Sequence, residues 1–484
     1  MKVRQNRPNS ATVARASTLL SLVFLFLAMA ACSAQPVINA LSQVKKLYVE
    51  TFSEGEEAAQ LRLSLVRKLD RSGSYHVVDK PENADAIVKA SGEVWVKGYL
   101  TINSRAPGSN REATYGGYLS VEVVAKDGEP LWSYLVTPSK LAWVPVRDDL
   151  ANNLVKEMLV ASKEVSTRSA SAAPAQTLMR ADLRGSGATF PEPLYRKWFA
   201  SFQRLHPEVH IAYTANGSEA GTIALTAGKV DFAASDLSSD DGAVGQTGAT
   251  FLRIPSVMGA VVPVFNVKGV NHDLRFTGEL LADIYLGKVD KWNDPAIRNL
   301  NRDADLPNAS IQVIHRSDGS GTTYAWSQFL SNASVGWKQI VGADAGLQWP
   351  AGKGVAGNEG VATAVQQMPN SIGYVELVYA IQHRLSYGSV RNTSGEYVRA
   401  DLDSLSEAAD AMAANRSGKK AYPIVTYTWL LIPQQTNDTA KRSAMLSLLR
   451  WALTSGQKEC SSLGYVPLPR DVAAQQLEIV NKLK

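Results

Sequence analysis

The sequence predicts an α/β protein in which a small α+β domain precedes a larger α/β unit. After residue 181, short apolar strands alternate with helical stripes. Before it, residues 161–181 are rich in Ser and Ala and show no apolar periodicity, which predicts a flexible linker. A chain of 484 residues has room for about three globular units. We therefore place the small domain at residues 32–160 and the larger unit at residues 182–484.

The small domain is predicted from two kinds of apolar periodicity. Leu47 and Val49 alternate as in a strand, and a helical stripe follows at Leu61, Leu65 and Leu69. Further elements are predicted at residues 76–78, 87–96, 127–128 and 150–158, which are two strands, a hairpin turn and a helix. Residues 32–160 contain no recognisable catalytic constellation, and their role stays open.

The N-terminus is predicted to be an export signal. Residues 1–31 carry four basic and no acidic side chains, and their apolar run is short for a membrane span. Cys32 follows directly, as in bacterial lipoproteins whose cysteine is acylated and anchors the protein to the membrane. The alternative is cleavage after Ala30, which leaves a free thiol. Either route places the mature chain outside the cytoplasm, in the periplasm or cell envelope.

Net charge argues against a nucleic-acid-binding protein. The formal charge is +5, and removal of the four basic residues of the signal leaves +1. Beyond the signal, no apolar run approaches the length of a membrane span. The other cysteine is Cys460, so acylation of Cys32 leaves no intramolecular disulfide.

Four loops rich in Gly, Ser and Thr characterise the larger unit. They precede helical stripes, where free peptide N–H groups can bind an anion. The first covers residues 185–191 (GSGATFP), and the second covers residues 216–221 (NGSEAG), with Ser218 predicted as a helix N-cap. The third ends a short apolar strand at Asp236. Taken singly, such a loop is more often a plain turn with a helix cap than a ligand site.

The fourth loop, at residues 316–323 (RSDGSGTT), carries the most chemistry. It supplies a guanidinium, a carboxylate, several hydroxyls and a helix N-terminus directly after an apolar strand. A surface ion pair between Arg316 and Asp318 on a glycine-rich turn would explain this loop alone. It would not explain four similar loops in one unit, so the pattern favours an anion-binding site.

Residues 183–475 resemble the substrate-binding proteins of bacterial Pst phosphate ABC transporters. The resemblance rests on the first, third and fourth loops and on three further segments, at residues 284–288 (IYLGK), 291–292 (KW) and 372–376 (IGYVE). It covers more than half of the chain and leaves the small domain unexplained. It implies a two-lobed periplasmic-binding-protein fold of type II, with residues 182–264 and 422–484 in one lobe and residues 265–421 in the other.

The same resemblance implies capture of inorganic phosphate for a Pst-type ABC permease, with no metal or cofactor. The implied phosphate ligands are Thr189, Phe190, Ser218, Asp236, Arg316, Asp318, Ser320, Gly321 and Thr322. Hydroxyls and helix N-termini can donate to the phosphate oxygens, while the guanidinium adds a planar, charged fork. Because ligands are expected from both lobes, phosphate is expected to close them.

Two carboxylates in an anion site need a physical reason. They can accept the protons that phosphate retains at neutral pH, whereas sulfate has none to offer. Asp236 and Asp318 are therefore expected to select phosphate over sulfate. Two departures from the family pattern are Glu219, expected to face solvent in a first helical turn, and His315, expected to make affinity depend on pH.

The sequence lacks the motifs that would favour an enzyme over a binding protein. The six histidines show no paired metal spacing, Ser320 lies outside a GxSxG elbow, and no glycine-rich loop ends in Gly-Lys-Ser/Thr. The sequence therefore predicts that the chain is not an enzyme, with a phosphoester hydrolase as the less favoured alternative. An envelope phosphate sensor or scaffold stays open because of the additional domain.

Overall fold

The structure is a computed structural model, and it describes residues 41–52, 56–101, 111–126, 128, 130–139, 145–168, 178–237, 251–270, 273–414, 416–434 and 436–483. The predicted signal segment and Cys32 lie outside the described residues. Within these ranges, no helix combines the length and apolar character needed to cross a membrane.

The small domain is a five-stranded sheet with two helices on one face. Its strands are β1 (Lys46–Val49), β2 (His76–Val77), β3 (Ala86–Thr101), β4 (Arg111–Ala125) and β5 (Pro130–Val136), and its helices are α1 (Glu56–Arg71) and α2 (Val146–Arg168). The sheet order is β2-β1-β3-β4-β5, in which β1 is parallel to both neighbours and the other pairs are antiparallel. The predicted apolar stripes of β1 and α1 are buried between sheet and helices.

Two elements of this domain are longer than the sequence predicted. β3, predicted at residues 87–96, runs from Ala86 to Thr101 because it pairs with β4 over this length. α2 continues to Arg168 and so covers the first part of the segment expected as a linker. Residues 161–168 contain no Gly or Pro, so no residue there ends the helix.

A nine-stranded mixed sheet organises the larger unit. Its strands are β6 (Ala181–Gly187), β7 (Val209–Ala215), β8 (Phe232–Ser235), β9 (Phe251–Asn266), β11 (Gln312–Arg316), β12 (Lys353–Val355), β13 (Ser371–Glu376), β14 (Ser386–Tyr387) and β17 (Val425–Pro433). The order is β12-β11-β13-β9-β17-β8-β6-β7, and β14 pairs with β9. A small second sheet contains β10 (Arg275–Phe276), β15 (Ser389–Arg391) and β16 (Tyr397–Val398).

Helices cover this sheet and begin after several of its strands. They are α3 (Glu192–Leu205), α4 (Ser218–Thr226), α5 (Gly278–Tyr285), α6 (Pro295–Arg298), α7 (Gly321–Ala333), α8 (Val335–Ile340), α9 (Gly357–Gln367), α10 (Leu377–Gln382), α11 (Leu402–Ala413), α12 (Thr439–Trp451), α13 (Gln457–Cys460) and α14 (Arg470–Lys482). α3 shows why such helices form: its apolar stripe, including Leu194, Trp198 and Phe202, is buried.

The long strand β9 divides the larger unit into two lobes. Up to Ala260 it pairs with β17, and from Val261 onward it pairs with β13. The first lobe therefore contains β6, β7, β8 and β17, whereas the second contains β11, β12 and β13. The chain crosses back near Ile424, whose carbonyl accepts a hydrogen bond from the Val261 N–H. Two adjacent crossings of this kind can serve as a hinge.

The small domain packs on both lobes through the sheet face that its helices leave uncovered. Side chains alternate along a strand, so Ser91, Glu93 and Trp95 of β3 point away from the helices. On the second lobe, the Ser91 hydroxyl donates to the Ile381 carbonyl at 2.9 Å. On the first lobe, Lys197 Nζ donates to the Ser133 carbonyl at 3.0 Å.

Candidate functional site

The predicted site residues converge at the carboxyl ends of the strands. Parallel strands β6, β7 and β8 of the first lobe end beside the loops that carry Thr189, Ser218 and Asp236. Strand β11 of the second lobe ends at Arg316 and leads into α7. In open α/β sheets this edge is where ligands bind.

Thr189 and Phe190 connect β6 to α3. The Thr189 side chain is buried, and its Oγ1 accepts hydrogen bonds from the N–H and Nδ2 of Asn358, at 3.3 Å and 2.9 Å. The Phe190 ring belongs to the apolar core. Carbonyl oxygens of both residues accept from tyrosine hydroxyls, with Tyr379 donating to Thr189 and Tyr465 to Phe190, each at 2.6 Å. These bonds fix the backbone of the loop.

Ser218 links the two lobes directly. Its Oγ accepts from the N–H of Asp236 in its own lobe and from the N–H of Gly321 in the second lobe, each at 3.2 Å. The prediction that Ser218 caps α4 was off by one residue, because Gly217 is the N-cap and has a φ of 105°. That backbone conformation favours glycine, and it leaves the serine hydroxyl available to the interior.

Asp236 follows β8 and is almost fully buried. The Thr428 hydroxyl donates to its Oδ1 at 2.6 Å. Burial raises the pKa of Asp236 to about 7, and this effect outweighs the opposing influence of the Thr428 hydrogen bond and the Arg316 charge. A carboxyl with this pKa exists in both protonation states near neutral pH. Its ionised form accepts a hydrogen bond, and its protonated form can donate one.

Arg316 and Asp318 form an ion pair within one loop. Arg316 Nε donates to Asp318 Oδ1 at 2.7 Å, and Nη2 donates to Oδ2. The N–H of Gly357 also donates to Asp318 Oδ1, at 3.0 Å. Burial alone would raise the pKa of Asp318, but the hydrogen bonds and charge of Arg316 hold it below its usual value. Asp318 therefore orients Arg316, which is a different use from the proton acceptance expected from the sequence.

One donor of Arg316 has no partner within the described part of the protein. The side chain is 1% exposed, and its Nη1 makes no hydrogen bond there. Leaving a buried charged donor unsatisfied is costly. A buried donor of this kind at the carboxyl end of a strand is typical of a site for an acceptor ligand.

Ser320, Gly321 and Thr322 begin α7. Ser320 is its N-cap and accepts from the Thr323 N–H at 3.2 Å. A Cβ on Gly321 would lie 2.4 Å from the Cβ of Asp236, so glycine permits the two lobes to approach closely here. Thr322 is fully buried, and its Oγ1 accepts from Asn358 Nδ2 at 3.1 Å.

The two departures from the family pattern have different outcomes. Glu219 is exposed in the first turn of α4, as expected. His315 stacks on Trp349 at 4.7 Å between ring centroids, and its Nδ1 bonds the Arg316 carbonyl. Burial lowers the pKa of His315, so its ring is mainly neutral at neutral pH. Asp236, with a pKa of about 7, is therefore a better candidate than His315 for a group that makes affinity depend on pH.

The sequence reasoning missed Asn358 and Thr428. Asn358 is fully buried at the start of α9 and connects Thr189 to Thr322. The glycine-rich stretch at residues 352–357 is the signal that could have identified it. Thr428 lies inside β17, and because β-branched residues are common in strands, its type gives no signal of a functional role.

A cavity of about 320 Å³ lies beside the site between the lobes. It is lined by residues from both, including Thr189, Asn216, Asp318 and Tyr379. Among the residues that the structure describes, no three His, Cys, Asp or Glu side chains are grouped to hold a metal ion. The arrangement consists of hydroxyls, peptide N–H groups, one guanidinium with its paired carboxylate, and one further carboxyl of raised pKa.

Two lobes on a divided sheet, with a polar site between them, define a periplasmic-binding-protein fold of type II. The family model described as "PBP superfamily domain" matches residues 167–454. A DING protein of known crystal structure, 19% identical, has this fold at a TM-score of 0.50 over 61% of this chain and 93% of its own.

Sequence comparison gives a narrower family. A phosphate-binding protein PstS of Xylella fastidiosa is 41% identical over 305 residues, which are 60% of this chain and 83% of the relative. A phosphate-binding protein PstS of Methanocaldococcus jannaschii is 36% identical over 62% of this chain and 86% of the relative. The chain belongs to the PstS family.

Proposed function

We propose that the chain captures inorganic phosphate between its two lobes and delivers it to a Pst-type ABC permease. The observation that carries this proposal is the unpartnered Nη1 of Arg316, a buried donor beside hydroxyl and peptide donors from both lobes. The relatives that share the family are named as phosphate-binding proteins. We assign residues 182–264 and 422–484 to the first lobe and residues 265–421 to the second.

The ligand set proposed for phosphate follows the sequence prediction. It consists of Thr189, Phe190, Ser218, Asp236, Arg316, Asp318, Ser320, Gly321 and Thr322. Arg316 supplies charge and a planar fork, and Asp318 takes part by holding that fork in place. Side-chain hydroxyls and peptide N–H groups supply the remaining donors, and no metal or cofactor takes part.

Selection of phosphate over sulfate is assigned mainly to Asp236. With a pKa of about 7, the buried Asp236 carboxyl is partly ionised at neutral pH, and its ionised form accepts a hydrogen bond from a phosphate proton. Sulfate has no proton at neutral pH, so its oxygens would face the ionised Asp236 carboxylate without a hydrogen bond. One unsatisfied buried contact of this kind costs about 1–3 kcal/mol, which is roughly a tenfold or greater loss of affinity.

The place of action is outside the cytoplasm. Residues 1–31 supply an export signal, and acylation of Cys32 anchors the mature chain to a membrane of the cell envelope. The function needs no catalytic step, because capture and release of phosphate require only a change in lobe separation.

Isothermal titration of the chain without residues 1–31 tests this function. Phosphate is expected to bind at one site per chain, with sulfate at least about tenfold weaker. Equal affinity for the two anions, or no binding of phosphate, would overturn the proposal.

A phosphate sensor of the cell envelope is the second candidate. It is favoured by one observation: the small domain contacts both lobes, through Ser91 and Ile381 on one side and Ser133 and Lys197 on the other. Uptake of radiolabelled phosphate by a deletion strain separates the candidates, since loss of a transport component lowers uptake and loss of a sensor alone leaves the transport rate intact.

A further inference from the structure

We propose that Asn358 is a positioning residue that fixes the direction in which the hydroxyls of Thr189 and Thr322 donate, so that both serve the bound anion. This inference rests on the proposed function and extends it to a residue outside the ligand set. Asn358 acts through the two threonines and makes no contact of its own with phosphate.

Asn358 lies between the lobes and is held in one orientation. Its side-chain Nδ2 is 2.9 Å from Oγ1 of Thr189 in the first lobe and 3.1 Å from Oγ1 of Thr322 in the second. Its Oδ1 accepts from the Glu376 N–H at 3.0 Å. A peptide N–H can only donate, so the atom facing it must be the amide oxygen, and the NH₂ group must face the two threonines.

The hydroxyl hydrogens are directed by this arrangement. A threonine hydroxyl has one hydrogen to donate and two lone pairs to accept with. On Thr189, Oγ1 accepts from both Nδ2 and the N–H of Asn358, so both lone pairs are used and its hydrogen must point elsewhere. On Thr322, Oγ1 accepts one hydrogen bond, from the same Nδ2, so its own hydrogen is turned away from the amide. Both threonines are buried, so water does not compete for these hydrogens.

This geometry makes the site selective for ligand oxygens that accept. Two hydroxyls that donate on opposite sides of one amide favour an oxyanion and disfavour a ligand that presents its own donors there. Because the two threonines belong to different lobes, both are correctly directed only when the lobes are together around Asn358. The amide thus couples closure to the orientation of the donors.

Substitution by aspartate tests the inference, because it keeps the size of the side chain and removes the NH₂ group. Asn358→Asp gives the hydroxyls an acceptor, and they then donate to it. Phosphate binding is expected to weaken by at least about 100-fold, as two donors to a charged ligand are lost. Asn358→Ala leaves the hydroxyls free to donate and is expected to weaken binding by about tenfold.

The order of these two losses separates positioning from packing. If Asn358 only filled space, the smaller alanine would do more damage than the isosteric aspartate, and that result would overturn the inference. Asn301→Asp is a matched control, since Asn301 is also buried in the second lobe and its side chain, among the described residues, bonds only backbone atoms of Arg275 and Ile297. Its phosphate affinity is expected to stay within about twofold of the unmodified protein.

A double-mutant cycle separates hydroxyl direction from simple charge repulsion. Thr322→Val removes one hydroxyl and is expected to cost about tenfold in the unmodified protein but less than about threefold in Asn358→Asp, where that hydroxyl is already diverted. Losses that multiply independently would show that the new charge alone repels phosphate, and the inference would fail. If Asn358→Asp does not fold, the cycle is run with Asn358→Ala, in which the Thr322 hydroxyl can still donate but has lost its fixed direction. Thr322→Val is then expected to cost less than in the unmodified protein, and losses that multiply independently would overturn the inference.

The two proposals can fail separately. Absence of phosphate binding by the unmodified protein overturns the proposed function. Normal phosphate binding by the unmodified protein, together with Asn358→Asp binding within about threefold of it, overturns only the role of Asn358.

Discussion

Glu93 of the small domain and Arg399 of the second lobe form a bidentate ion pair across the domain boundary. Arg399 Nη1 and Nη2 donate to the two Glu93 carboxylate oxygens at 2.9 Å and 2.6 Å. The guanidinium lies between the Trp95 and Tyr387 rings, 4.6 Å and 4.2 Å from their centroids. The Arg399 side chain is 7% exposed and that of Glu93 33%, so the pair is largely shielded from solvent. This ion pair joins the small domain to the larger unit.

Replacing Glu93 is expected to destabilise the whole protein. Glu93→Gln removes the charge that pairs directly with the buried Arg399, at a cost of about 1–3 kcal/mol after allowance for the partly exposed carboxylate. Urea unfolding at neutral pH measures this loss. The control is Glu57→Gln, which breaks an exposed pair with Arg147 and is expected to cost about 0–1 kcal/mol. Equal effects of the two substitutions would contradict a structural role for the Glu93–Arg399 pair.

The raised pKa of Asp236 predicts how stability depends on pH. In the unfolded chain the Asp236 carboxyl has its ordinary pKa of 3.8, whereas in the folded protein burial raises this pKa to about 7. Between these pH values the folded state holds more of the Asp236 proton than the unfolded state, so the contribution of Asp236 to stability falls as pH rises from about 4 to 7.

Asp236→Asn removes this penalty. Relative to the unmodified protein, the variant is expected to gain stability progressively from about pH 4 to 7, by at most about 4 kcal/mol. Thermal melts in phosphate-free buffer at a series of pH values provide the measurement. A difference that stays constant over the whole range would show that Asp236 titrates normally in the folded protein.

Phosphate affinity is expected to depend on the guanidinium group of Arg316 and not on its positive charge alone. Arg316→Lys keeps the positive charge but removes the guanidinium. That group contacts Asp318 through Nε and Nη2 and has Nη1 available for the ligand. Phosphate affinity is expected to fall by about 10- to 100-fold in isothermal titration. Arg384→Lys, which affects a residue bonded to the Thr51 carbonyl outside the site, serves as the control. Affinity that survives Arg316→Lys would show that the guanidinium group is not needed to bind phosphate.

Gly321 is expected to be needed for closure of the lobes. An alanine Cβ would lie 2.4 Å from the Asp236 Cβ, and backbone atoms of Asp236 follow at 2.9 Å. Alanine is tolerated at a helix start, so Gly321→Ala is expected to fold but to keep the lobes apart. Small-angle scattering would then show compaction on addition of phosphate for the unmodified protein and little for the variant. Gly346→Ala, with nothing within 4 Å, is the control and should compact normally.

The sequence predicted the site better than the contacts that support it. Glycine-rich loops before helical stripes are local signals, and the loops so identified do meet at the carboxyl ends of the strands. Asn358 escaped notice because the strand before it, β12, has only three residues and two of them are exposed. Thr428 escaped because it lies within a regular strand.

Long-range pairing explains the remaining difference. Glu93 and Arg399 are separated by 306 positions in the chain, so no local pattern indicates their contact. The orientation of the Asp318 side chain depends likewise on the Gly357 N–H that donates to it. Gly357 lies at the start of α9, after β12, and no pattern near Asp318 indicates where this N–H lies. Such features depend on tertiary packing, whereas loops, caps and stripes depend on neighbouring residues.

A crystal structure of the protein grown with phosphate tests the central claim most directly. We expect phosphate between the two lobes, with one oxygen within hydrogen-bonding distance of Arg316 Nη1 and another facing the Asp236 carboxyl. Phosphate bound elsewhere, with Nη1 of Arg316 still unpartnered, would contradict the account.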